Sequence, residues 1–305
     1  MIIIANKFKK VANSCYKLFK IAKLKLYNCA FSNKIYSNFT HLFLHIYKQF
    51  RKFTYEELLT DIESNSELKA YLGLKKVPHY TTLIKFAKRL PLEIIDKLII
   101  AFKKLIPEPK KVAIDSTGIS LDNASSHYCK RIGLSFKKRP FLKTTFIVDI
   151  EQYIILLCKP FKSRIHDTKV AKPMIKNLAK NYEPEIFYGD RGFDDEKIFK
   201  LCFENLNAYP LILQKRLDVP KYRRRGHYRK KTFSIFDYGE YLQRNKIETL
   251  NSMFKRKFGS NVKSRIVKLQ KIEVLFRVIA FNIDRIIRIS ECFVLIFIRT
   301  MRVSY

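Results

Sequence analysis

Lys111-Val112-Ala113-Ile114-Asp115-Ser116-Thr117-Gly118-Ile119 is a short run rich in β-branched residues that follows a lysine- and proline-containing link, and it predicts a strand. A charge inside a buried strand is costly without a partner or a metal, so Asp115 needs an explanation. Downstream, Lys143 to Val148 and Tyr153 to Cys158 predict two strands of a hairpin joined through Asp149, Glu151 and Gln152, with Asp149 a turn residue. A helix from about Lys169 to Lys180 follows. The strand Glu185 to Gly189 ends at Asp190, where Arg191-Gly192-Phe193 turns the chain toward a helix reaching Leu206, and Tyr209 to Leu213 is a last apolar strand. Strand, hairpin, helix, strand, helix, strand predicts a mixed α/β sheet with helices packed on it. Ligands collect at the carboxyl ends of strands in such sheets, which marks Asp190. Its plainer role would be to cap the helix of Asp194 to Glu204.

A third carboxylate lies on a predicted amphipathic helix, Glu240 to Phe258. At about 100° per residue, Tyr241, Arg244, Glu248 and Lys255 fall within about 60° of one another, while Leu242, Ile247, Leu250, Met253 and Phe254 take the far side. A carboxylate between two cations and a phenol suits a metal-bound phosphodiester, because the acid binds the ion and its neighbours hold phosphate oxygens. The alternative for this face alone is a solvated surface.

Together these residues resemble the ribonuclease-H-like catalytic core of DDE transposases. The Tyr-x-x-Arg-x-x-x-Glu-x-x-x-x-x-x-Lys run at 241 to 255 looks like the motif of insertion-sequence-four and -five transposases, and Asp-Ser-Thr-Gly at 115 and Gly-Asp-Arg-Gly-Phe-Asp at 189 look like their first and second acidic motifs. The resemblance covers roughly Lys110 to Ile287. It implies an α/β fold, a ribonuclease-H-like mixed sheet flanked by helices, with an N-terminal helical domain. It also implies that Asp115, Asp190 and Glu248 hold two Mg²⁺ (or Mn²⁺) ions about 3.5–4 Å apart. Water would free a 3′-hydroxyl at the element's end, and that hydroxyl would attack a target phosphodiester. Arg244 and Lys255 would grip phosphates, and Tyr241 would pack or hydrogen-bond beside them. The implied partners are double-stranded DNA, both the terminal inverted repeats and the target, and a second copy of the chain in a homodimer on DNA.

Charge agrees with a polyanionic partner. Lys and Arg number 61 against 27 acids, a net charge of +34. The excess clusters at Met1 to Tyr55, which has no acid, and at Lys215 to Lys231, which has Asp218 alone. The second cluster sits in an expected basic insertion at about 214–238 and predicts a flap over DNA. Arg223, Arg224 and Arg225 would meet phosphates there, and Tyr222, His227 and Tyr228 would stack on unpaired bases. A solvated, disordered loop is the other reading.

Domain expectations follow from these landmarks. Residues 1–108 predict a helical, basic, DNA-end-binding region, residues 109–290 the catalytic core, and residues 291–305 a tail. Ser66 to Leu74, Gly73, Pro78 and a helix from about Tyr80 to Leu90 make a helix-turn-helix arrangement carrying Lys85, Lys88 and Arg89; a structural brace is the alternative. Residues 1–50 read as a basic arm on DNA or an amphipathic segment on an anionic membrane surface. No run approaches the roughly 18 apolar residues of a membrane span, and the Met1-Ile2-Ile3-Ile4 opening has no signal-peptide features, so no membrane partner is expected. The six cysteines lack metal-like spacing and predict buried thiols in a reducing cytoplasm, with nucleoid association implied by DNA. His41 and His45, at i,i+4 spacing, read as packing residues rather than zinc ligands, and His166-Asp167-Thr168 predicts an N-cap at Asp167 or Thr168. There is no glycine-rich phosphate loop, which excludes the common nucleotide-cofactor motifs. Leu269, Ile272, Leu275, Phe276, Ile279 and Ile283 predict a last helix packed on the core, and Cys292 to Ile298 a docking strand or altered tail. Two competing functions remain at this stage: a catalytically inactive, DNA-binding repressor derived from a transposase, and a basic structural or membrane-surface protein.

Overall fold

The structure, a computed structural model, describes residues 2–31, 33–121, 131, 141–162, 165–215, 219–223 and 225–303. It divides into two compact units. One comprises residues 103–271 and the other residues 1–102 with 272–305.

The helical unit contains α1 (Ile2–Ile21), α2 (Asn38–Arg51), α3 (Tyr55–Ser64), α4 (Ser66–Tyr71), α5 (Tyr80–Arg89) and α6 (Leu92–Ile100). The expected helix-turn-helix is α4 and α5, and Gly73 leaves α4 at φ +62°. Thr54 and Glu57 form a reciprocal capping box that starts α3. Helix α1 is not a free arm, because Val11, Ala12, Cys15, Leu18 and Phe19 are buried in this unit and Phe8 packs edge-on against Phe43 and Tyr47. An apolar stripe at helical spacing removes that much surface from water more favourably inside a bundle than along a polyanion. His41 stacks on Phe86 (4.4 Å) and His45 on Phe276 (5.0 Å), so both rings pack as expected.

The second unit holds a sheet with six strands among the described residues: β1 (Lys111–Leu121), β2 (Phe141–Asp149), β3 (Ile154–Phe161), β4 (Ile186–Gly189), β5 (Tyr209–Ile212) and the short β6 (Asn261–Val262). The order is β3-β2-β1-β4-β5. Strands β1, β2 and β3 are antiparallel, and β4 and β5 run parallel to β1. This is the mixed sheet expected from the element order. Helices α7 (Asp167–Ala179) and α8 (Glu196–Glu204) fill the crossovers; α9 (His227–Ser234) and α10 (Tyr238–Tyr241) then lead to α11 (Asn245–Phe258). Asp149 takes its expected turn role, accepting from the N–H groups of Glu151 (2.8 Å) and Gln152 (3.3 Å). Val112, Ala113 and Ile114 are all buried, as a strand covered on both faces requires. Ile247, Leu250 and Phe254 of α11 are buried too, with the Phe254 ring 5.4 Å from Phe146.

Three expectations about boundaries are corrected. The last helix, α12 (Val267–Val303), contributes Ile272, Phe276, Ile279 and Ile283 to the helical unit rather than to the catalytic core. Within that unit Arg277 pairs with Glu273 at 2.5 Å and donates to Gln49 at 3.3 Å. Gln49, the partner from outside α12, belongs to α2, a link that an apolar stripe alone does not reveal. Residues 291–303 continue α12 instead of forming a strand or separate tail. The N-cap of α7 is His166, whose Nδ1 accepts from the Thr168 N–H, because Asp167 is engaged elsewhere.

Candidate active site

Strand β4 is short and stops while β1 runs on. Ile114 pairs with Gly189, and the next partner of β1 on that side is β6, at Ser120. The intervening gap opens at the carboxyl end of β4, and Asp115 and Asp190 each stand one residue past the last paired position. Gly189 suits this crowded end: a Cβ there would lie 3.2 Å from Ile212 and 3.5 Å from Ile114.

Asp115 is held at both oxygens. Oδ1 accepts from the Ser116 N–H and Oδ2 from Asn251 Nδ2, each at 2.8 Å. Burial raises its pKa from 3.8 to about 6; the Ser116 N–H and Arg244 oppose the rise, and the charges of Asp190 and Glu248 add to it. Asp190 and Glu248 therefore each lie within electrostatic range of Asp115. Asp190 Oδ1 accepts from the Gly192 N–H at 2.8 Å and caps only the single 3-10 turn Arg191–Phe193. The α8 helix is capped by Asp195, so the plainer role weighed for Asp190 does not apply.

Glu248 sits in the first turn of α11, where the helix dipole favours an acid. Its Oε1 receives Arg244 Nη2 at 2.6 Å, and its side chain remains 60% exposed. Among the described residues, no three His, Cys, Asp or Glu side chains are grouped so as to hold a metal ion. The side-chain chemistry suits small hard cations, since all three acids offer carboxylate oxygens. Convergence would require Glu248 to leave Arg244.

The remaining motif residues have distinct settings. Tyr241 is buried, its ring 5.4 Å from Phe236 and 6.0 Å from the Arg244 guanidinium, so it packs beneath the site rather than projecting from it. Burial raises its phenol pKa, Arg244 lowers it, and the Asp190 charge raises it further. Lys255 is half-buried, two turns along α11 from Glu248. The helix is not continuous across the motif: Leu242–Arg244 is a 3-10 turn, and Leu242 is exposed rather than on the buried face. The tighter winding of that turn shifts its phase from the α-helical pattern.

Within the basic insertion, residues 227–234 form a docked helix rather than a solvated loop. Glu196 accepts from the N–H groups of Tyr228 (2.9 Å) and Arg229 (3.2 Å), which caps α9. Gly226, at φ +98°, makes this possible, because a Cβ there would meet Glu196 Oε2 at 2.1 Å. Arg229 pairs at 2.5 Å with Asp194, whose side chain is fully buried and also accepts from Lys215 N–H at 2.8 Å. Tyr228 stacks on Phe203 and hydrogen-bonds Glu204, so its expected role in base stacking is replaced by packing. Tyr222 and His227 remain exposed, as do Arg223 and Arg225. Arg224 lies outside the described residues.

Two further groups escaped the sequence reading. Ser116 Oγ donates to Asp167 Oδ1 (2.6 Å), which also pairs with Lys143 (2.9 Å), so Asp167 belongs to a polar cluster beside Asp115 rather than to the α7 cap. Asn251 is the other. It follows Glu248 by three residues on the same helix face, a signal available in the motif spacing.

A comparison with curated proteins found no match. Among solved structures, a cryo-EM structure of the piggyBac transposase synaptic complex with hairpin DNA is similar over 92% of this chain and 71% of that chain, at 10% identity and a TM-score of 0.46. At that distance the likeness carries no argument. The family described as the transposase DDE domain matches residues 106–283, more than half of the sequence and the whole of the sheet with its three acids. The chain therefore belongs to the transposase DDE domain family.

Proposed function

We propose that this transposase binds the ends of an insertion sequence and catalyses metal-dependent DNA strand cleavage and strand transfer. The observation that supports the reading is the pairing of Ile114 with Gly189, after which Asp115 and Asp190 follow on adjacent strands at the open end of the sheet, with Asp115 in electrostatic range of Glu248. Asp115, Asp190 and Glu248 are the ligands for two Mg²⁺ or Mn²⁺ ions. Such ions, when bound, supply an activated oxygen nucleophile and neutralise charge on the leaving oxygen.

The chain's own groups do the rest. Glu248 exchanges Arg244 for the shared site, which frees the guanidinium to take a phosphate oxygen in a charge-assisted bond. Lys255 binds a neighbouring phosphate. Tyr241 keeps Arg244 at the site by packing under it. Arg223, Arg224 and Arg225 on the insertion meet the DNA backbone, the helix-turn-helix of α4 and α5 contacts the element end through Lys85, Lys88 and Arg89, and two copies of the chain work on paired ends. The expected setting is a cytoplasmic protein at the nucleoid; no described helix is long and apolar enough to cross a membrane.

The test is strand cleavage of an end-containing duplex with Mg²⁺ by single Asp115→Ala, Asp190→Ala and Glu248→Ala variants. Each loses at least about a thousandfold in rate, as expected when one member of a catalytic unit is removed, while gel-shift affinity persists in EDTA. Undiminished cleavage by any one variant removes that residue from the site. A second reading, a DNA-binding repressor without cleavage, is favoured by the Glu248–Arg244 pair. End binding by the parent protein with no cleavage in either Mg²⁺ or Mn²⁺ would select it.

A further inference from the structure

Asn251 is 8% exposed and spends its amide in an uneven way. Nδ2 donates to Asp115 Oδ2 at 2.8 Å, across 136 residues of chain, whereas Oδ1 is buried with no hydrogen-bond partner among the described residues. A buried amide recruited only to join α11 to β1 would be expected to satisfy both ends, since an unmet carbonyl costs stability. Here the one bond that is made falls on the Asp115 oxygen left over by the Ser116 N–H.

We propose that Asn251 is a positioning residue for Asp115. Together with the Ser116 N–H it sets the rotation of the carboxylate, leaving one lone pair on each oxygen for a divalent cation. Because Asn251 lies one turn beyond Glu248, the same bond ties the helix carrying the third acid to the strand carrying the first. A neutral amide does this without adding negative charge beside three carboxylates. This inference rests on the metal-dependent reading of the site.

The experiment measures Mn²⁺ binding to the full chain without DNA, by calorimetry and by electron paramagnetic resonance of the ion, for Asn251→Ala, Asn251→Ser and Asp115→Ala. Loss of an outer partner of a metal ligand costs about 10–100-fold in metal affinity. Asn251→Ala should therefore raise the Mn²⁺ Kd by that factor and broaden the resonance, with end-binding affinity in EDTA unchanged. Asn251→Ser, which restores a shorter donor, should recover part of the loss; it also carries the test alone if Asn251→Ala fails to fold. Parent-like Mn²⁺ Kd in the folded Asn251 variants, with any change confined to Tm, overturns the proposal and leaves Asn251 a packing residue. Asp115→Ala separates the two levels: if it too binds Mn²⁺ like the parent, the metal reading itself fails.

Discussion

The seven residues from Asp190 to Glu196 contain four acids with two fates. Asp194, Asp195 and Glu196 are each matched by a partner from elsewhere: Arg229 and the Lys215 N–H, Lys172 at 2.8 Å, and the first N–H groups of α9. Around Asp115, Asp190 and Glu248, among the described residues, the ion pair is Arg244 with Glu248. The pKa directions follow this division. Burial would raise Asp195, but the Lys172 hydrogen bond and the Lys197 N–H bring it below its ordinary value, while burial and two acidic neighbours hold Asp115 up at about 6. Carboxylates matched by a cation or by helix N–H groups build the scaffold. Those left short of cations are the ones with charge to offer a ligand.

The sharpest way to break this contrast is a pair of substitutions with opposite signs. Asp115→Asn should reduce strand cleavage by at least about a thousandfold yet raise Tm at pH 8 without metal. Ionising Asp115 costs the folded state, because its folded pKa exceeds the unfolded value. Asp194→Ala should do the reverse to stability, costing about 3–5 kcal/mol in urea unfolding, because it strands Arg229. If Asp194→Ala were neutral, or Asp115→Asn destabilising, the two groups of acids would not differ as described.

Next in size is the pH dependence. The stabilising effect of a proton on Asp115 is full below pH 3.8 and is lost as pH rises through about 6. A divalent cation competes with that proton, so Mn²⁺ affinity should weaken by up to about tenfold per pH unit below about 6. Calorimetry across pH 5 to 8 reads the slope, and a flat profile would show that Asp115 does not ligate the ion. The smallest effect is expected at Lys110–Glu185, an exposed pair at 3.2 Å. Glu185→Ala should change unfolding free energy by less than about 1 kcal/mol. A larger loss would mean that pairing, rather than burial with pairing, separates scaffold acids from the rest.

Much of the fold was legible because its signals are local. The strand around Asp115, the hairpin turning at Asp149, the strand ending at Gly189 and the helix bearing Glu248 each announce themselves through β-branched runs, turn residues or helical spacing over a few residues. The motif spacing also singled out the three acids and Arg244; in the structure the charges of Asp190 and Glu248 act on Asp115, and Arg244 pairs with Glu248. Tyr228 was misread because tyrosines among arginines look alike whether they stack on a base or on Phe203. The last helix was misread because its apolar stripe fits either unit, and only the buried Arg277, Glu273 and Gln49 group shows which one it completes.

By itself, then, the sequence determined the main strands and helices around the sheet, their order along the chain, and the residue types available at its open end. Only the tertiary structure decided what each acid meets: Asp194 pairs with a cation 35 residues away, whereas Asp115 accepts from a neutral amide 136 residues away. The reason is physical. Secondary structure responds to neighbours a few residues apart, whereas the charge state of a carboxylate depends on burial and on partners within a few ångströms, which the chain supplies only once it has folded.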